Sequence, residues 1–261
     1  MPILIYERRH SYMKKRHVVW FYIGLLVLIN LLLLGVLIFQ KKISFNTPSE
    51  EKYPIRGIDV SNYQGKIDWQ IIEQQNIQFA FIKATEGSGH IDAQFEENWK
   101  NAAQTDLQIG AYHFFSFESS GKEQAKHFME VVPQTEGMLP PVVDVEFYGD
   151  YIKKKPEVEE TRQRLQEFLD EIEAYYGMKP IIYATESAYS RYIRGAFEEY
   201  PLWIRNVYFS PNISMPGKWL FWQYSSEGEL EGYHGTQKYI DLNVFNGSRE
   251  DWDNFVQNKT L

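Results

Sequence analysis

The chain has 261 residues, enough for one large domain and an appendage, and it carries a formal net charge of −8 at pH 7. Residues 1–42 hold seven basic residues and one acid, which leaves a net charge of −14 on residues 43–261. An acidic globule of this kind argues against nucleic acid as a ligand. The absence of cysteine excludes disulfide bonds, cysteine nucleophiles and thiolate metal sites.

The first predicted element is a membrane-spanning helix over residues 18–39. These 22 residues contain no charged side chain. At about 1.5 Å per residue, a helix of this length spans about 33 Å, which is enough to cross a bilayer. Five basic residues precede the segment and two follow it. This bias predicts a basic cytoplasmic tail over residues 1–17 and an exported globule.

A cleaved signal peptide is the alternative interpretation of this segment. Signal peptides have an apolar core of roughly 7–15 residues, followed by small residues at the cleavage site. The apolar core here is longer, and residues 38–42 (IFQKK) offer no such site. We therefore expect an uncleaved signal anchor, then a polar tether over residues 40–54. A catalytic domain over residues 55–261 would lie outside the cytoplasm, in the periplasm or at the cell surface.

From residue 55 onward, short apolar runs typical of strands alternate with amphipathic stretches typical of helices. The predicted strands cover residues 56–60, 79–84, 109–115, 142–147, 180–184, 202–206, 219–224 and 239–242. The predicted helices cover residues 68–75, 93–105, 122–132, 157–176 and 187–193. In the clearest helix, Leu165, Phe168 and Ile172 recur at spacings of three and four residues. Together these elements predict an α/β fold, a distorted (β/α)8-like barrel with five regular β/α units.

An apolar run that ends in acid carries most of the functional information. Residues 139–147 (LPPVVDVEF) predict a buried strand, on which Asp144 and Glu146 point to the same face. Carboxylates beside such a stretch are costly unless they are paired or have a chemical task. Glycosidic bond cleavage is one such task, because one carboxyl donates a proton while another supports positive charge on the sugar. The alternative is a strand end whose acids are solvated or cap a helix.

Acids recur at the C-terminal ends of three predicted strands, where barrel enzymes carry their active sites. Asp59 ends the first strand and Asp241 ends the eighth. The pair formed by Asp144 and Glu146 ends the fourth. Because the first and eighth strands are neighbours in a closed barrel, Asp59 and Asp241 should lie side by side, with Glu146 across the mouth. A turn-capping role for Asp241 is the alternative.

Six motifs follow one another along this part of the chain. They cover residues 57–65 (GIDVSNYQG), 82–87 (IKATEG), 110–114 (GAYHF), 144–146 (DVE), 222–224 (WQY) and 241–243 (DLN). Their order resembles glycoside hydrolase family 25, the N-acetylmuramidases of the Chalaropsis-type lysozymes. The resemblance extends over about residues 55–256.

The resemblance implies a flattened barrel that hydrolyses the β-1,4 bond from N-acetylmuramic acid to N-acetylglucosamine. It places the general acid on Glu146 and the other active-site carboxylates on Asp59, Asp144 and Asp241. It implies no metal and no cofactor. The expected partners are peptidoglycan glycan strands and, through residues 18–39, a membrane.

The roles of the acids follow from their expected surroundings. Burial and repulsion from Asp144 should raise the pKa of Glu146, so that Glu146 keeps its proton near neutral pH. Asp144 should stay charged or hold the 2-acetamido group of the substrate. Two routes remain open. The acetamido oxygen can attack the anomeric carbon, or Asp59 or Asp241 can activate water in an inverting reaction.

Aromatic residues make up 16% of the chain, and aromatic faces stack well on sugar rings. Core packing is the alternative role for each of them. The candidate substrate-binding residues are Tyr63, Tyr112, Tyr183, Trp222, Tyr224 and Asn243.

Two other functions compete with muramidase activity. A catalytically inactive, membrane-tethered glycan-binding barrel would keep the aromatic residues and lose the acids, whereas all four acids are present here. A chitinase-like glycosidase would use a single D-x-E motif for substrate-assisted cleavage. A comparison of chitin with peptidoglycan as substrate separates these possibilities.

Overall fold

The computed structural model describes residues 2–39, 46–211 and 219–258, which belong to two compact units. The first unit contains one long helix, α1 (Pro2–Phe39), which includes the predicted membrane-spanning residues 18–39. Its stretch Val19–Val36 is long and apolar enough to cross a bilayer, a property that membrane anchors share with signal sequences. Residues 40–45 of the predicted tether lie outside the described residues.

The second unit begins at Asn46 and contains a closed barrel with helices around it. Its strands are β1 (Arg56–Val60), β2 (Lys66–Ile67), β3 (Phe79–Glu86), β4 (His90–Ile91), β5 (Gln108–Phe114), β6 (Val142–Val145), β7 (Ile181–Thr185), β8 (Leu202–Arg205), β9 (Phe221–Gly228), β10 (Tyr233–His234) and β11 (Ile240–Phe245). Its helices are α2 (Trp69–Glu73), α3 (Phe95–Ala102), α4 (Gly121–Val131), α5 (Val158–Tyr176), α6 (Glu186–Ala188) and α7 (Arg249–Asn258). A π-helical turn, Tyr189–Ile193, extends α6.

Eight of these strands form the barrel, in the order β1-β3-β5-β6-β7-β8-β9-β11, and the pairing of β11 with β1 closes it. Each corresponds to a predicted strand with slightly shifted ends, so the predicted (β/α)8-like architecture is confirmed. Neighbouring strands from β1 to β9 are parallel. Their C-terminal ends therefore meet at one edge of the barrel. The short strands β2, β4 and β10, and helix α7, were absent from the sequence-based assignment.

The last barrel strand departs from the prediction in its direction. β11 runs antiparallel to both of its neighbours, β1 and β9. The connection from Gly228 to Ile240 is too short for the helical crossover that a parallel strand needs. The assignment of Asp241 to a C-terminal strand end is therefore wrong, because Asp241 lies near the start of β11. The antiparallel direction nevertheless brings that start to the edge where the parallel strands end.

Two apolar cores hold the barrel together. One lies inside it, where Phe79 and Phe81 of β3 pack with Phe221 of β9. Trp252 of α7 packs against this core, with its ring centroid 5.4 Å from that of Phe79. The other core lies between the sheet and the helices and receives the alternate residues of the same strands, such as Ile82. Because successive residues of a strand face opposite sides of the sheet, each strand contributes side chains to both cores.

Residues 46–54, which the sequence assigned to a tether, pack on the barrel instead. The buried Asn46 side chain donates hydrogen bonds to the backbone oxygens of Asn206 (3.0 Å) and Tyr224 (2.8 Å). Tyr53 is also buried, with its ring centroid 5.8 Å from that of Trp219. These residues belong to the barrel unit, because their burial depends on contacts with its strands and loops.

Candidate active site

A cleft of about 390 Å³ opens at the barrel edge where the parallel strands end. All four predicted acids line it, and basic and aromatic side chains surround them. The lining includes Asp59, Asp144, Glu146, Asp241, Lys83, Arg205, Tyr63, Tyr112, Tyr183, Trp203 and Gln223. A larger cavity of about 800 Å³ beside α2, α3 and β10 shares none of these residues. The barrel thus gathers the candidate catalytic acids into one site.

Asp59 and Asp241 lie side by side within this cleft. They are direct partners in the register of β1 with β11, and their side chains are hydrogen-bonded to each other. A hydrogen bond between two carboxyl groups needs one proton. The bonded pair therefore carries at most one negative charge.

A buried network of amides orients Asp59. Its Oδ2 atom accepts hydrogen bonds from Gln223 Nε2 and Asn243 Nδ2, both at 2.8 Å. The Tyr183 hydroxyl donates to Gln223 Oε1 at 3.0 Å, and Trp203 Nε1 donates to Asn243 Oδ1 at 2.9 Å. Because the amide oxygens already accept these bonds, the amide nitrogens face Asp59. Asn243 is fully buried and positions Asp59, so its expected role as a substrate contact is not supported.

The protonation of this pair follows from its surroundings. Burial, then the neighbouring charge of Asp59, raises the pKa of Asp241 to about 9. Burial also raises the pKa of Asp59, while hydrogen bonds from Asn243 and Gln223 lower it. The anion is therefore better stabilised on Asp59. We place the shared proton on Asp241, which donates it to Asp59 in the hydrogen bond.

Asp144 and Glu146 come from the end of β6, where Glu146 follows the last strand residue. Burial, then the charge of Glu146, raises the pKa of Asp144 well above its ordinary value. Burial likewise raises the pKa of Glu146. Burial favours the neutral form of both groups, which agrees with the expected protonated Glu146 and acts against the expected charge on Asp144, so the role of Asp144 stays a prediction. Asp144 Oδ1 is buried without a hydrogen-bond partner among the described residues.

Arg205 is a part of the site that the sequence analysis did not select. Burial raises the pKa of all four acids, and the positive charge of Arg205 lowers the pKa of each. Lys83 also lines the cleft, but its ammonium group forms a 2.8 Å ion pair with Glu86. Arg205 and Trp203 stand two residues apart at the end of β8, the same spacing that singles out Asp144 and Glu146. This spacing at a strand end was the feature of the sequence that could have identified Arg205 as a site residue.

The predicted aromatic contacts divide into two groups. Tyr63, Tyr112 and Tyr183 line the cleft, and Tyr63 is 52% exposed. Trp222 and Tyr224 do not line it, because they flank Gln223 on β9 and neighbouring strand residues face opposite sides.

The two outward-facing residues have structural contacts instead. Trp222 is buried and donates from Nε1 to the backbone oxygen of Asn206 at 2.8 Å. The Tyr224 hydroxyl accepts a hydrogen bond from Arg56 at 3.1 Å. Their assignment to substrate binding is therefore corrected to packing outside the barrel.

A closed α/β barrel whose strand ends gather four carboxyl groups beside aromatic side chains has the architecture of a glycoside hydrolase. The family model of glycosyl hydrolases family 25 matches residues 58–233, and the chain belongs to this family. Both the resemblance drawn from the motifs and the enzyme class are thereby confirmed. The family includes lysozymes and N-acetylmuramidases.

Individual relatives agree with this assignment. A solved family 25 glycosyl hydrolase from Bacillus anthracis is 47% identical, with a TM-score of 0.75 over 80% of this chain and 96% of that one. Uncharacterized protein YegX of Escherichia coli K12 is 38% identical over 82% of this chain and 77% of its own length. Lysozyme M1 of Streptomyces globisporus is 32% identical over 74% of this chain and 68% of its own length.

The protonated state of Asp241 predicts a pH-dependent effect of Asp241→Asn. Between the ordinary pKa of 3.8 and the raised pKa of about 9, the folded protein binds more protons than the unfolded chain. Stability from this group is therefore lost as pH rises through that window, by up to about 1.4 kcal/mol per pH unit. Asparagine still donates to Asp59 but does not titrate. The melting temperature of the variant should exceed that of the wild type increasingly from pH 5 to pH 8.

Asp150→Asn, which changes an exposed acid, is the matched control and should show no such trend. A wild-type protein that melts above Asp241→Asn at pH 8 would contradict the placement of the proton.

Proposed function

We propose that this protein is a peptidoglycan muramidase that hydrolyses the β-1,4 bond between N-acetylmuramic acid and N-acetylglucosamine, with Glu146 as the general acid. The observation that carries the proposal is the joint placement of Asp144 and Glu146 in the cleft, with both pKa values raised by burial. The similarity to lysozyme M1 supports peptidoglycan as the substrate.

Glu146 is the better proton donor of the two acids at the end of β6. It is only partly buried, whereas Asp144 is buried deeper in the cleft. A general acid has to reach the glycosidic oxygen and hold its proton near neutral pH, and burial shifts the pKa of Glu146 in the direction that the second requirement needs. In the first step, Glu146 gives its proton to the leaving oxygen as the bond to the anomeric carbon breaks.

We assign the nucleophile to the substrate's own acetamido oxygen. The unpartnered Oδ1 atom of Asp144 is suited to accept the acetamido N–H. The reaction uses the ionised form of Asp144, which the charges of Lys83 and Arg205 favour and which stabilises the cyclic cation. Neither Asp59 nor Asp241 is a ready base for the inverting route. Asp59 Oδ2 is occupied by two amide donors, and Asp241 carries the proton of their pair.

Water completes the reaction on this route. The carboxylate left on Glu146 takes a proton from a water molecule, and that water opens the cyclic intermediate at the anomeric carbon. Two inversions at this carbon leave the product with the β configuration of the substrate. The enzyme is therefore proposed to be a retaining glycosidase.

We further propose that the helix over residues 18–39 remains uncleaved as a membrane anchor, with the catalytic domain outside the cytoplasm. The length and apolar character of Val19–Val36 support a membrane span. The basic residues before the segment support a cytoplasmic N-terminus. Peptidoglycan lies outside the cytoplasmic membrane, which agrees with this orientation.

Glu146→Gln keeps the shape of the side chain and removes the proton that the reaction needs. The rate of release of new reducing ends from purified peptidoglycan should fall by about 10²–10⁴. The melting temperature should not fall, because the variant buries no new charge. Glu118→Gln, which changes an exposed glutamate, is the control and should keep full activity. More than half of the wild-type rate in Glu146→Gln would exclude Glu146 as the acid.

Asp144→Asn tests the acetamido route. A neutral amide stabilises the cyclic cation poorly, so most of the rate should be lost while the fold is retained. NMR of freshly formed product from a soluble muroglycan should show the β anomer for the wild-type enzyme. An initial α anomer would mean inversion and would move the base role to Asp59 or Asp241.

Protease added to intact spheroplasts should digest the barrel unit and leave the membrane-embedded helix in the membrane fraction. Lysed spheroplasts are the control, since protease then reaches both sides of the membrane. Protection of the barrel unit in intact spheroplasts would contradict the orientation. Recovery of a shortened chain in the soluble fraction without protease would instead support a cleaved signal peptide.

A further inference from the structure

Two aromatic side chains after β8 are unusually exposed. Tyr208 is 70% exposed and Phe209 is 57% exposed, more than any other aromatic side chain among the described residues of the barrel unit. The removal of aromatic surface from water lowers the free energy of the system. Two adjacent exposed rings are therefore suited to bind a partner.

The backbone beneath these rings is held in an ordered turn. Asn206 Oδ1 accepts hydrogen bonds from the backbone N–H groups of Tyr208 (3.0 Å) and Phe209 (2.9 Å). Asn206 is itself buried, and its Nδ2 atom donates to Glu186 at 2.9 Å. A fixed turn lowers the entropy cost of binding, because the backbone that carries the rings is ordered before the ligand arrives.

This turn lies beside the catalytic cleft. It begins directly after Arg205, the last residue of β8, whose side chain lines the cleft. Phe209 is four residues further on, and at most about 3.5 Å per residue separates the Cα atoms of an extended chain. Its Cα atom is therefore within roughly 14 Å of that of Arg205.

We propose that Tyr208 and Phe209 form a stacking platform for sugars of the glycan strand that extend beyond the cleft. The proposal rests on the proposed function, in which the substrate is a polymer longer than the cleft. Aromatic faces stack on the apolar faces of sugar rings, and the turn that carries the two rings begins directly after Arg205, whose side chain lines the cleft. The enzyme should therefore bind long glycan strands more tightly than short fragments.

A lipid surface is a weaker explanation of the exposed rings. Residues 43–261 carry a net charge of −14, which is repelled by the anionic lipids of a cytoplasmic membrane. The segment 206–211 (NVYFSP) contains no basic residue that would offset this repulsion.

The test compares two substrates with the double variant Tyr208→Ala/Phe209→Ala in the full chain. On polymeric peptidoglycan, kcat/KM should fall about tenfold, mainly through a higher KM, because the lost contacts bind the ground state and the transition state equally. On a soluble muroglycan tetrasaccharide, kcat/KM should stay unchanged. The conservative double variant Tyr208→Phe/Phe209→Tyr should retain wild-type values on both substrates.

Tyr175→Ala, which removes an exposed ring on α5, is the matched control. It should leave kcat/KM unchanged on both substrates. Equal losses on both substrates, or no loss on the polymer, would overturn the proposal. Unchanged polymer kinetics in the double variant would leave a lipid contact as the explanation of the exposed rings.

Co-sedimentation with insoluble peptidoglycan tests binding by the platform independently of the proposed muramidase activity. A wild-type enzyme that cleaves neither substrate contradicts the muramidase assignment, yet its co-sedimentation still reports on the platform. Weaker co-sedimentation of the double variant would then support the stacking role, and unchanged co-sedimentation would refute it.

Discussion

The antiparallel pairing of β11 with β1 is the constraint on which the rest of the site depends. It closes the barrel and sets Asp59 directly opposite Asp241. A shift of the register by one residue would turn Asp241 away from the cleft and remove Asn243 from Asp59, because neighbouring strand residues face opposite sides. The cleft is thus a consequence of closure, and the same hydrogen-bonded ladder serves both stability and catalysis.

The burial of four acids in one cleft then determines how readily each of them ionises. Burial is the largest influence on the pKa of all four carboxyl groups, and it raises each of them. Arg205 opposes this effect, and amide donors favour the anion on Asp59 alone. The buried cleft therefore opposes ionisation of its acids, most clearly at Asp241, whose pKa is raised to about 9. Burial shifts the pKa of Glu146 upward, which is the direction that the proposed general acid needs.

The abundant aromatic residues serve mainly as structure. Phe79 and Phe81 fill the barrel interior, and Trp222 packs on its outer side. The rings that line the cleft include Tyr63, which follows β1, and Tyr112 and Tyr183, which lie within β5 and β7. Aromatic content alone therefore said little about binding, and the position and facing of each ring decided which rings line the cleft.

The sequence by itself determined the eight barrel strands and the placement of Asp144 and Glu146 on one face, because both follow from local periodicity. It also determined that Asp59 and Asp241 are neighbours, because the first and last strands of a closed barrel meet. Only the tertiary structure decided the direction of β11, the packing of residues 46–54 on the barrel, and the pKa shift of each acid. These depend on contacts between segments far apart in the chain, and the free energy of an ionised group depends on what buries it and which donors reach it.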